Sequence, residues 1–321
     1  MPRRRALTEA QLTNLFALPT SEADLIRHWT LDDADLAAVG RRRRDHDRLG
    51  FALQLCTLRF PGRLLRPGEA IPEAALRFVA DRLGTDPDAF AAYAARFQAR
   101  YEQLDALREA FDFEDLGPGR RREMLAWLLP VALATTNAFA MAQALMDELR
   151  RRRIIVSGPF IVEQLVAGAT VLAERHVAGQ LTCTLSKGQA AVPETLLAPK
   201  AGTAMSTLAW ARQPAGAPGH KALRRLADQL GALRTVGLAP ACAEGVHPER
   251  LRKLAREGSR YTAQHLRALS PLRRRAALVA TVLDATPCWT AGPKATSSIA
   301  APGKRPCCWR CATGCAGATY G

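Results

Sequence analysis

The side chains in this sequence with the clearest capacity for chemistry are arginines. Arg41, Arg42, Arg43 and Arg44 form an unbroken run joined by Arg48, Arg3, Arg4 and Arg5 stand near the first residue, and Arg150, Arg151, Arg152 and Arg153 form a second run of four. Guanidinium forks match phosphate oxygens and guanine edges two bonds at a time and stay charged at any working pH, so the chemistry is anion binding. The structural alternative is a solvated basic face, or, for Arg150–Arg153, cations answering the dipole at a helix C-terminus. Four in a row exceed what a dipole needs, which favours phosphate contact for the second run also. Covalent and acid–base chemistry find no such concentration. The sequence has no phosphate-binding glycine loop, nucleophile elbow or metalloprotease helix. Its six histidines are scattered singly, and Asp32, Asp33 and Asp35 fit the first turn of a helix after Thr30. No cofactor is expected. Cys307, Cys308, Cys311 and Cys315 crowd together without a histidine or the folded spacer that lets ligands converge as a tetrahedron, so zinc is the lesser reading.

The element that must hold the first run is written directly after it. Leu49, Ala52, Leu53 and Cys56 recur at i, i+3, i+4 and i+7, and Phe51, Leu55 and Leu58 flank them. Only Arg48, Gln54, Thr57 and Arg59 remain for a polar side, so the helix is mostly buried and Cys56 belongs to the core. Pro61-Gly62 ends it. Upstream, residues 7–16 and 31–39 read as short helices, and Ser21 with Asp24 caps another. Downstream come an amphipathic helix over 72–83 and a segment to Phe111 carrying Phe90, Tyr93, Phe97 and Tyr101, whose spacing suits core better than base stacking. Asp112, Glu114 and Asp115 before Gly117-Pro118-Gly119 mark a domain boundary. Arg120–Arg122 opens a helical pair. Helices over 160–182, between Ser186 and Pro193, over 203–211 and over 220–235 follow. The apolar stretch from Met124 to Met141 is broken by Pro130, Thr135, Thr136 and Asn137, so it reads as two core helices and a turn rather than a membrane span.

Residues 248–269 have the layout of a helix-turn-helix. Pro248 starts a helix with Leu251, Leu254 and Ala255 inward, Glu257-Gly258 makes the turn, and Tyr261–Leu269 forms the second helix. That second helix would present Thr262, Gln264, His265 and Arg267, and glutamine and arginine read adenine and guanine edges respectively.

Composition agrees with a polyanionic partner. The 321 residues carry a net charge of +15 with a pI near 10.2, and 39 of the 45 Lys+Arg are arginine. A GC-rich genome also raises arginine and alanine, so the net charge is the stronger signal. Alanine, leucine and arginine dominate over Val, Ile and Thr, which favours helix throughout. No apolar leader follows the basic N-terminus, so a cytoplasmic protein is expected.

The run Arg48-Leu49-Gly50-Phe51-Ala52-Leu53-Gln54-Leu55-Cys56 through Pro61-Gly62-Arg63 resembles the N-terminal region of the TnpA transposases of class II replicative (Tn-three type) transposons. Met1–Arg5, Asp24–Leu31, Leu254–Gly258 and Thr262–Leu266 agree in order, and the similarity runs from residue 1 to about 285. Trp29 stands where that family more often has tyrosine, and Asp47 where it often has asparagine, a change that would weaken a DNA contact there. The resemblance implies an all-α protein of tandem helical DNA-binding modules, including the helix-turn-helix-like unit. The expected domains are residues 1–115, 116–285 and an aberrant tail, 286–321, disordered and out of frame, which holds five of the eight cysteines and no acid. The implied partner is double-stranded DNA at transposon terminal inverted repeats, with a homodimer or association with intact transposase as a further expectation. The family's Asp-Asp-Glu catalytic set belongs to its C-terminal half, so no residue here inherits a catalytic role. A nonspecific RNA- or nucleoid-binding protein, or a helical scaffold with an incidental basic surface, are the alternatives.

Overall fold

A computed structural model describes residues 5–286 apart from residues 67, 95, 96, 184, 186 and 239–242. Arg3, Arg4 and the tail from residue 287, with its cysteines and its expected change of frame, lie outside the described residues. The architecture is all-α, and the main chain of the described residues groups into two compact units, one reaching to residue 132 and including 137–170, the other comprising 133–136 and 171–286. The acidic knot at 112–115 lies within the first.

The first unit is built around one helix. Its elements are α1 (Glu9–Phe16), α2 (Glu22–Trp29), α3 (Asp33–Gly40), α4 (Asp45–Arg59), α5 (Glu73–Leu83), α6 (Ala89–Ala94), α7 (Phe97–Phe111), most of α8 (Pro118–Ala134), α9 (Ala138–Arg151) and the start of α10 (Pro159–Cys183). Two short parallel strands, β1 (Glu114–Asp115) and β2 (Ile154–Ile155), pair Glu114 with Ile154. Every residue of α4 from Leu49 to Leu58 is buried, and α2, α3, α5, α6 and α7 surround it. The expected polar side of α4 is therefore corrected: Gln54 and Thr57 are buried with the rest, Thr57 by donating its hydroxyl to the Gln54 carbonyl at 2.9 Å. A helix packed on all sides needs no amphipathic face, and its few polar groups must find partners inside. The Thr57 carbonyl accepts from Gly62 N at 2.9 Å and Arg63 N at 3.1 Å, which turns the chain at Pro61-Gly62. Gly50 is where another helix crosses closely, since a Cβ there would stand 2.3 Å from the Tyr93 ring. Of the aromatic segment, Tyr93 and Leu107 are core as expected.

The second unit repeats the principle with α11 (Lys187–Thr195), α12 (Thr207–Ala211), α13 (His220–Arg234), α14 (Pro248–Arg260), α15 (Ala263–Ala268) and α16 (Pro271–Ala285). Residues 276–283 of α16 are all buried, with Ala276, Val279, Ala280 and Leu283 in one apolar cluster and Ala277, Leu278 and Val282 in another. Among the described residues no helix is long and apolar enough to cross a membrane, and α8 and α9 meet at a turn capped by Asn137.

Candidate nucleic-acid interface

The first arginine run is held from both ends. Val39 accepts from Arg41 N as α3 closes, and Arg44 is the extended N-cap residue of α4, whose first turn carries Asp45 and Asp47. Arg48 Nε, one turn into α4, reaches back to the Arg42 carbonyl at 2.9 Å. The Arg42 guanidinium lies 4.5 Å from the centre of the Phe51 ring, and Phe51 is core. Arg41, Arg43 and Arg44 are exposed. With Asp47, Glu102 and Gln103 the four arginines line a depression of about 400 Å³. Four cations facing two acids over an open surface suit a backbone of spaced negative charges better than a single small anion.

The second run is engaged by acceptors of the protein itself, although Arg151 and Arg153 remain exposed. Arg150 pairs with Asp147 and lies 4.7 Å from the Phe60 ring centre. Arg151 and Arg152 both bond Glu148, at 2.7 and 2.5 Å, and Arg152 also pairs with Glu123. Glu148 is buried, and the guanidinium of Arg151, then that of Arg152, holds its carboxyl down at about 2 against the cost of burial. Arg153 donates to the Phe111 carbonyl at 2.8 Å. The acids that answer this run come from the preceding turn and from α8, and each guanidinium has a protein acceptor. Arg59, Arg150 and Arg153 do converge on a cleft of about 190 Å³ with Phe111 and Phe113, but Arg59 there is bidentate to the buried Asp35 at 2.6 Å. Asp32 and Asp35 cap α3 reciprocally, which accounts for these acids, and no cluster of three or more His, Cys, Asp or Glu placed to hold a metal ion occurs among the described residues. Arg5 is exposed on a separate groove beside Leu12, Phe16 and Phe160.

The helix-turn-helix expectation meets a different local geometry. α14 runs through Glu257-Gly258 without turning and ends at Arg260. The corner falls at Tyr261–Thr262, pinned by Arg212, which donates to the Tyr261 carbonyl at 2.7 Å and to that of Gly258. Gly258 is small because α16 crosses it, a Cβ there falling 2.6 Å from the Ala277 carbonyl oxygen. α15 has only six residues. Thr262 is its N-cap, accepting from His265 N at 3.2 Å, the His265 ring stacks on Tyr261 at 4.3 Å, and Arg267 donates to the Leu197 carbonyl at 2.6 Å. Gln264 alone of the four is exposed with no such engagement among the described residues. Exposed cations also lie on α14, at Arg252, Arg256 and Arg260. Their spacing of four is legible in the sequence, but it falls on the helix that a helix-turn-helix layout assigns to support rather than to contact.

Residues 6–169 match a family described as a domain of unknown function (DUF4158). The chain is 34% identical over 286 residues to the transposase for transposon Tn501 from Pseudomonas aeruginosa, covering 89% of this chain and 29% of that protein. The transposase for transposon Tn3926 from Escherichia coli is 34% identical over 284 residues, 88% of this chain and 29% of its own length. The transposase for transposon Tn21, also from Escherichia coli, is 35% identical over 280 residues, 87% of this chain and 28% of its own length. The chain thus spans less than a third of the curated relatives it matches.

Proposed function

The chain belongs to the DUF4158 family and to the N-terminal part of the Tn-three-type transposases, and on that premise we propose that it binds double-stranded DNA at the terminal inverted repeats of a transposon. The observation that carries the reading is the Arg41–Arg44 run, exposed yet tied to the buried helix α4 through Arg48 and Phe51. A charge surface on a rigid mount fixes the register of a duplex, which is what phosphate contacts contribute to recognition. In this reading residues 1–286 recognise DNA ends.

The test is a titration of the full chain against a duplex carrying the inverted repeat, with a scrambled duplex beside it at about 150 mM salt, where exposed charges are screened beyond roughly 8 Å. A preference for the repeat of at least about 10³ is expected of specific recognition. Equal affinity for both would replace it with the nonspecific nucleic-acid-binding reading.

A further inference from the structure

We propose that the outward face of α14 is a second DNA-backbone contact, in which Arg252, Arg256 and Arg260 grip neighbouring phosphates; this rests on the DNA-binding reading above. The three residues are exposed and four apart, so they stand on one face of the helix about 6 Å apart along its axis. The row is about 12 Å long, and a duplex offers roughly one charge per 1.7 Å of its axis over such a length.

Three features make this face a fixed cationic surface rather than an ordinary solvated one. The opposite face of α14 buries Leu254, Ala255 and Gly258 against α16, so the helix cannot rotate the arginines away. The other charges on the helix are committed elsewhere: Lys253 bonds Glu174 at 2.7 Å, Glu257 accepts from Arg273 at 3.0 Å, and Glu249 lies 3.4 Å from Thr136 N. Among the described residues Arg252 and Arg260 form no ion pair, and the hydrogen bond of Arg256 runs from Nε to the Arg252 carbonyl at 3.3 Å. The acid facing Arg252 and Arg256 is the half-buried Asp284 of α16, one carboxylate against the three arginines. A straight row of one sign, without an apolar neighbour exposed among its members, matches a phosphate backbone rather than a folded protein partner.

The full chain carrying R252Q, R256Q and R260Q is titrated with the repeat duplex and the scrambled duplex across about 50 to 300 mM salt. Glutamine keeps the helix propensity of arginine and stays polar while removing the charge. The steepness of log affinity against log salt is expected to fall by about 2–3, at roughly 0.9 per phosphate lost, while the ratio between the two duplexes is kept. The corresponding triple lysine variant is expected to restore the slope. An unchanged slope in the glutamine variant overturns the proposal. Should the triple variant not fold, R252Q and R260Q are read singly, each expected to lower the slope by about 0.9 and each overturning the proposal if it does not. A wild-type chain that binds neither duplex overturns this contact and the function above together. Binding without preference overturns end recognition alone, and the slope still decides the α14 face.

Discussion

Asp47 is the residue on which the reading of the first arginine run can be tested most finely. It lines the depression with Arg41–Arg44 and lies 3.6 Å from His46, and its carbonyl accepts from Gln103 at 3.3 Å. Only the side chain changes in Asp47→Asn, so the mount is preserved while one negative charge leaves the surface lined by the four arginines. DNA affinity is expected to rise by about two- to fivefold, the worth of one partly exposed charge interaction of up to about 1 kcal/mol. A titration at low salt checks it, and the gain should shrink as salt is added. Arg59, by contrast, is a structural arginine: Asp35 is fully buried, and the bidentate pair is what lets a carboxylate sit there.

Among the elements, α9 shows how a basic run is answered by nearby acids. Its last turn carries Arg150 and Arg151, favourable for the helix dipole, and Glu148 gathers Arg151 and Arg152. Because the folded pKa of Glu148 lies near 2, below its ordinary value, these bonds stabilise the fold fully above about pH 4.5, the unfolded range. That stability is lost as pH falls through 4.5 towards 2. Thermal melting of Glu148→Gln against wild type should therefore show its largest deficit at neutral pH, narrowing steadily below about pH 4.5. A deficit independent of pH would mean that packing, not charge, is what the substitution removes. α14 and α16 make the complementary case, since Gly258 admits a crossing so close that α14 is set by its partner helix.

For the whole molecule, the net charge of +15 sets an overall attraction to polyanions, while the two units carry separate exposed rows at Arg41–Arg44 and on α14. Sites that share no partner contribute additively. Replacing Arg41–Arg44 with glutamine should lower the salt slope by its own amount, and combining this with the α14 substitutions should lower it by the sum of the two. Titrations of the two multiple variants and their combination check this; a combined loss no larger than either alone would mean a single contact surface.

The amino-acid sequence by itself determines the local features of this protein. The apolar spacing from Leu49 to Leu58 specifies a buried helix directly after four arginines, Ser21 with Asp24 specifies a cap, and alanine and leucine with few β-branched residues specify an all-α chain. Each of these is written within a turn or two of the chain. Which arginines are free is decided by tertiary structure alone. Arg152 and Glu123 are 29 residues apart, Arg59 and Asp35 are 24 apart, and Arg267 finds its acceptor 70 residues away at Leu197. A run of like charges reads the same in sequence whether or not distant groups neutralise it. Gly258 carries the same lesson for shape. Glycine suits a turn and a helix crossing equally well, and only the approach of Thr281 and Ala277 determines that here it serves the crossing.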